Sequence, residues 1–207
     1  KSRDRFREIV TERGLLDEEV SVLARPLTPG EAIGEPGRRD YPIIVGKERV
    51  LEAIAMGGTG HAFTDSAKEF SGPLQDVLDL PLDSNQERAI FIATMNAVLA
   101  GLGIASQTVH CKDDDPEECA PEIARTVREE HHAKKVGLIG MNPALAEGLV
   151  NEFGPGNVRI CDLNPDNIGK DRFGVKIWDG RERTADLADF ADVLIVTGTT
   201  LVNDSFE

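Results

Sequence analysis

Hydrophobic positions change rhythm partway along the chain. Residues 3–14 set Phe6, Ile9 and Val10 on one face and stop at Gly14, the pattern of an amphipathic helix. Val20-Ser21-Val22-Leu23-Ala24 alternates like a strand. Residues 26–42 hold Pro26, Pro29, Pro36 and Pro42 with Gly30, Gly34 and Gly37, which predicts a loop. Ile43-Ile44-Val45 and Val50 to Ala55 flank the polar stretch Gly46-Lys47-Glu48 and predict a hairpin. MGGTGHAFTD, residues 56–65, then reads as a glycine-rich loop able to approach a ligand closely. Asp83 to Gly101 predicts a long helix. Ser84 and Glu87 stand at capping-box spacing, and Ile90, Phe91, Thr94, Val98 and Leu99 recur near a 3.6-residue period.

The acidic bridge SQTVHCKDDDPEECA, residues 106–120, separates this α+β half from the next. A helix follows from about Pro121 to His131, with Pro121 in its first turn. From there a strand-loop-helix alternation sets in. Strands are predicted at Val136–Ile139, Val158–Cys161, Val175–Ile177 and Val193–Val196. Helices are predicted at Pro143–Phe153, capped by Asn142, and at Ala185–Ala191, capped by Thr184. Such alternation argues for a mainly parallel sheet with crossover helices. The expected fold class is therefore α/β: a small α+β domain over residues 1–107, then a Rossmann-like domain over 108–207. The chain begins without Met and stops at Leu201–Ser205, which reads as the entry to another helix, so a C-terminal truncation is expected.

A formal net charge of −14 disfavours general nucleic-acid and anionic-membrane partners. No apolar run reaches the ~18 residues of a membrane span. Three cysteines, Cys111, Cys119 and Cys161, lack disulfide-framework spacing and suit a reducing, cytoplasmic setting.

Ligands of open parallel sheets bind outside the carboxyl ends of the strands. Here those ends carry Gly140-Met141-Asn142, Asp162-Leu163-Asn164, Asp179 and Thr197-Gly198-Thr199-Thr200. NAD is disfavoured. Gly137-x-x-Gly140-x-Asn142 lacks the third glycine of the dinucleotide fingerprint, and Pro143 removes an N–H that would face a pyrophosphate. Asp162 alone stands where an acidic residue can hold ribose hydroxyls. His110, Cys111 and Cys119 around Asp113-Asp114-Asp115, Glu117 and Glu118 offer donors for a divalent or soft metal ion, but without a standard zinc spacing. His61, close to Asp65, offers acid–base or metal chemistry. No G-x-S-x-G, Walker or H-E-x-x-H motif occurs.

GTGHAFTD (58–65), NAVLAGLG (96–103), TVHCKDDDPEECAPEI (108–123), VGLIGMNPAL (136–145), ICDLNPDNIG (160–169) and IVTGTTLVND (195–204) together resemble the family described as "putative heavy-metal chelation". The resemblance implies an enolase-N-terminal-like domain followed by a Rossmann-like domain, with a ligand site in the cleft between them. Carried over by motif, it points to Gly60, His61, Thr64, Asp65, Asn96, Asn142, Asp162, Asn164, Thr199 and Asn203. The expected function is binding of a small molecule or metal complex. The alternative is an enzyme acting on a nucleoside-containing or other small polar ligand through the strand ends. A homodimer is left open, and the cofactor is not identified.

Overall fold

The computed structural model describes residues 1–16, 21–46 and 48–206, and it shows the mixed α/β class that the pattern predicts. It divides into two compact units. The first comprises Lys1–Gly34, Pro42–Cys111 and Leu201–Glu207; the second comprises Glu35–Tyr41 and Lys112–Thr200.

The first unit runs α1 (Ser2–Glu12), β1 (Ser21–Pro26), α2 (Pro29–Ile33), β2 (Arg49–Ala55), β3 (Gly58–Thr64), β4 (Phe70–Pro73), α3 (Leu74–Leu78) and α4 (Asn85–Gly101). Its four strands form an antiparallel sheet in the order β3-β2-β1-β4. Period-2 alternation turns Val22, Ala24, Leu51, Ala53, Ala55 and Ala62 toward a core shared with Phe6 and Val10 of α1 and Phe91, Ala93, Ala97 and Val98 of α4. The Ser84–Glu87 capping box of α4 forms as the spacing predicts.

Several expectations change here. Residues 26–42 are not all loop: Thr28 and Glu31 build a capping box that starts α2 with Pro29 in its first turn. Residues 43–45 make a turn rather than a strand. Their β-branched side chains favour extended backbone, but both edges of β2 are already taken, by β1 and by β3. The hairpin is instead β2–β3. It closes through Met56 and Gly57 at φ 53° and 75°, the two left-handed positions of a type I′ turn. The expected glycine-rich ligand loop is thus a strand. Val20 and Lys47, parts of the predicted first strand and hairpin turn, lie outside the described residues.

The glycines of β3 answer to helix packing. A Cβ on Gly60 would stand 2.3 Å from the Ala93 carbonyl oxygen and 2.4 Å from the Ala97 nitrogen. One on Gly58 would stand 2.2 Å from the Ala97 carbonyl oxygen. Strand and helix backbones touch there, leaving no room for a methyl group.

The second unit continues α5 (Asp115–Glu129), β5 (Val136–Ile139), α6 (Pro143–Phe153), β6 (Val158–Asp162), β7 (Asp171–Arg172), β8 (Val175–Asp179), α7 (Gly180–Phe190), β9 (Val193–Val196) and the single turn α8 (Thr199–Val202), whose last two residues fall in the first unit. α5 starts six residues before the expected position. Pro116 occupies its first turn, and Pro121 sits inside the helix. α7 also starts earlier, capped by the Asp179 carboxylate on the Arg181 N–H, while the Thr184 hydroxyl donates back to the Gly180 carbonyl. β4, α3 and β7 are short elements without a periodic signal.

The second sheet has the order β7-β8-β6-β5-β9, parallel except for β7. Val136, Leu138, Val158, Ile160, Val175 and Ile177 share a core with Ala124 and Val127 of α5 and with Ala146, Leu149 and Phe153 of α6. α7 covers the opposite face, where Leu187 packs on Gly137. Among the four parallel strands the spatial order is third, second, first, fourth, with helices on both faces. This is the order of a doubly wound half, and its switch point falls between β5 and β9.

Gly60→Ala is expected to lower unfolding free energy by about 1–3 kcal/mol or more through overpacking against α4. Gly156→Ala, whose Cβ meets nothing within 4 Å, should change it by no more than about 0.5 kcal/mol. Urea unfolding of the two variants checks the contrast.

Candidate functional site

At the switch point, β5 runs into Gly140 at φ 91°. A Cβ there would lie 2.1 Å from Oγ1 of Thr197, so the glycine makes room for the threonine at the end of β9. Thr197 and Thr199 share a hydroxyl–hydroxyl hydrogen bond of 3.0 Å, and the Thr200 hydroxyl donates to the Thr197 carbonyl at 2.8 Å. Across the switch point, Asn142 caps α6: its side-chain oxygen accepts from the Leu145 N–H at 3.0 Å. That leaves its amide NH₂ without a hydrogen bond to any described residue. Asn142, Thr197 and Thr199 therefore put an amide donor and two hydroxyls on the strand ends that flank the switch point.

Asp162 organises the neighbouring loops. One carboxylate oxygen accepts from the Met141 N–H at 2.8 Å and from the Asn167 side chain at 3.0 Å; the other accepts from the Asn164 N–H at 2.6 Å. Asn164 in turn accepts from the Asp166 N–H at 3.0 Å. These bonds join the loops after β5 and β6. Met141, Asp162, Asn164 and Asn167 thus stand together, with Asp162 committed to protein donors.

The remaining ligand-site candidates lie in the first unit. His61 lies on β3 directly opposite Glu52 of β2, which lies directly opposite Arg25 of β1. Arg25 Nη2 is 3.4 Å from Glu52, and His61 Nε2 is 3.3 Å from the other Glu52 oxygen. His61 Nδ1 accepts the His110 backbone N–H at 3.0 Å, which leaves Nε2 to carry the proton and donate to Glu52. The His61 carbonyl accepts from the Asn96 side chain at 3.1 Å, and its N–H donates to the Thr108 carbonyl at 2.9 Å. The His110 ring meets Phe63 edge-on at 4.7 Å, and burial holds its pKa below the usual histidine value. Thr64 accepts from the Ser66 N–H and Asp65 from the Asn85 side chain. Asn203 accepts from the Ser205 N–H and hydroxyl. Gly60 faces α4.

His110 and Cys111 belong to the first unit, and Cys119 to the second. Four of the carboxylates between them are spent on backbone donors and a phenol. Asp113 accepts from the Glu35 N–H, Asp114 from the Gly37 N–H, Asp115 from the Lys112 N–H and Glu117 from the Tyr41 hydroxyl. Among the described residues, no group of three or more His, Cys, Asp or Glu side chains could hold a metal ion.

Glu52 and Asn167 are not singled out by the sequence, and Thr197 only as part of the β9 strand end. A two-residue turn at Met56-Gly57 would have revealed Glu52, because that register places it opposite His61. Nothing local marks Thr197 as the partner of Gly140, since they meet only through β5–β9 pairing.

Residues 123–207 match the model of the family described as "Putative heavy-metal chelation", which bears out the resemblance carried by the motifs of this region. No curated protein and no solved structure matches the chain. Among the described residues, no helix is long and apolar enough to cross a membrane.

Two outcomes are expected. Asp162→Ala leaves the Met141 and Asn164 N–H groups without their acceptor and should cost about 1–3 kcal/mol in urea unfolding. In alkylation at pH 8 read by peptide mass spectrometry, exposed Cys111 should react first. Cys161 should resist until the chain unfolds, because it is buried and its thiol is pushed up to about 11 by that burial.

Proposed function

We propose that this protein binds a small polar molecule, or a metal already held by such a molecule, at the β5–β9 switch point of its second unit. The observation that carries this reading is the arrangement of Asn142 on one strand end and the Thr197–Thr199 hydroxyl pair on the other, at the position where doubly wound sheets receive ligands. Such groups suit a polar, hydrogen-bonding ligand.

The family description supports a metal as part of what is bound. The ligand chemistry favours a complexed metal over a bare ion. Amide and hydroxyl groups are weak ligands for soft metals, and the carboxylates nearest the edge are committed to loop and cap hydrogen bonds. A chelating molecule would bring its own donors and be recognised through its polar periphery. Asp162 then acts by shaping the Met141 and Asn164 loops rather than by direct contact. No disulfide joins the described cysteines, which supports a reducing, cytoplasmic setting for this role.

Isothermal titration with zinc or copper ions alone, and with the same metals as histidine or citrate complexes, tests the reading. The complexes are expected to bind more tightly than the ions, and Asn142→Ala with Thr199→Val to weaken them by about tenfold or more. Unchanged complex binding in the folded double variant would remove the switch point from the mechanism.

A further inference from the structure

Residues 35–41 lie between α2 and β2 in the chain but pack within the second unit. They are held by a line of polar contacts. The Glu35 N–H donates to Asp113 at 2.8 Å and the Gly37 N–H to Asp114 at 2.9 Å. Arg38 donates to Glu147 of α6 at 2.6 Å and pairs with Asp40 at 2.9 Å. The Tyr41 hydroxyl donates to Glu117 of α5 at 2.5 Å. Burial and the Glu117 charge hold the Tyr41 pKa above its ordinary value, so the phenol stays a donor.

Pro36 and the Tyr41 ring are the buried apolar contribution of this segment, and neither belongs to the second unit's main core cluster. The seam is also imperfect: Arg38 Nη1 and Glu117 Oε2 are buried without a hydrogen-bond partner among the described residues. Charge-assisted contacts of this kind weaken in salt, whereas the apolar core beneath does not.

We infer that residues 35–41 form an electrostatic strap, which docks on the acidic start of α5 and on Glu147 of α6 and can detach while the second unit stays folded. Detachment uncovers Glu117 and releases the already accessible Asp113, Asp114 and Glu147 from the partners they hold in the docked state. The device is thus a switch on whether four carboxylates are engaged by the strap or free to take another partner.

Limited trypsin digestion of the full chain tests this, because Arg38 and Arg39 place cleavage sites inside the strap. Cleavage there is expected to rise about fivefold or more in Asp114→Asn and Tyr41→Phe at the same salt concentration. Wild-type amide exchange at Glu35 and Gly37 should speed up by a similar factor in about 0.5 M NaCl. Far-UV circular dichroism and the urea midpoint of the second unit should stay in place throughout. Cleavage and exchange that ignore both variants and salt would overturn the strap, as would increases that appear only together with loss of the urea transition. Wild-type cleavage already as fast at low salt as in an unfolded peptide would show that no docked state exists.

Discussion

The first unit depends on a backbone-to-backbone contact between β3 and α4. Gly58 and Gly60 present bare Cα atoms to the helix where Ala93, Ala97 and Gly101 present little more. A contact this close needs no long side chains, and dispersion across it is strong because atoms on both sides are dense. It also sets the height of the helix above the sheet. The other face of β3 is then left to carry His61, which reaches Glu52 across the hairpin. A motif whose composition suggests a ligand loop is therefore the seat of a helix, and its histidine belongs to a cross-strand polar ladder.

The second unit is arranged around its central strand. β5 has β6 on one side and β9 on the other; α6, which links β5 to β6, covers one face, and α7, which links β8 to β9, covers the other. That geometry opens the switch point, while Asp162 keeps the loops beside it in shape. The division of labour is physical. A carboxylate that accepts three hydrogen bonds is a good organiser and a poor free ligand, whereas amide and hydroxyl groups at the strand ends have donors and acceptors to spare. The same holds for the acidic run after Cys111. Its charges suggest cation binding, yet within the unit they meet the N–H groups of residues 35 and 37 and the phenol of Tyr41.

Much of the fold was legible along the chain where a single local cause decided the structure. The Ser84–Glu87 box opened α4, Asn142 opened α6, and the four strands of the second half fell where short apolar runs or apolar–polar alternation stood between turn residues. The Thr28–Glu31 box was equally local, but it lay inside a proline- and glycine-rich stretch whose composition pointed to a loop. Ile43–Val45 was misleading for a different reason. Strand propensity needs an open sheet edge, and β2 had none left.

By itself, the sequence determined the α/β class, the capped starts of α4 and α6 and the polar character of the strand ends, since periodicity, caps and turn chemistry act within a few residues. Only the tertiary structure decided what the glycines of β3 are for, that Gly140 yields to Thr197, that Glu52 faces His61, and that Asp113, Asp114 and Glu117 are spent on residues 35–41. Each of these depends on groups distant in the chain meeting across a sheet, a helix face or a loop, and no local pattern records which partner will arrive.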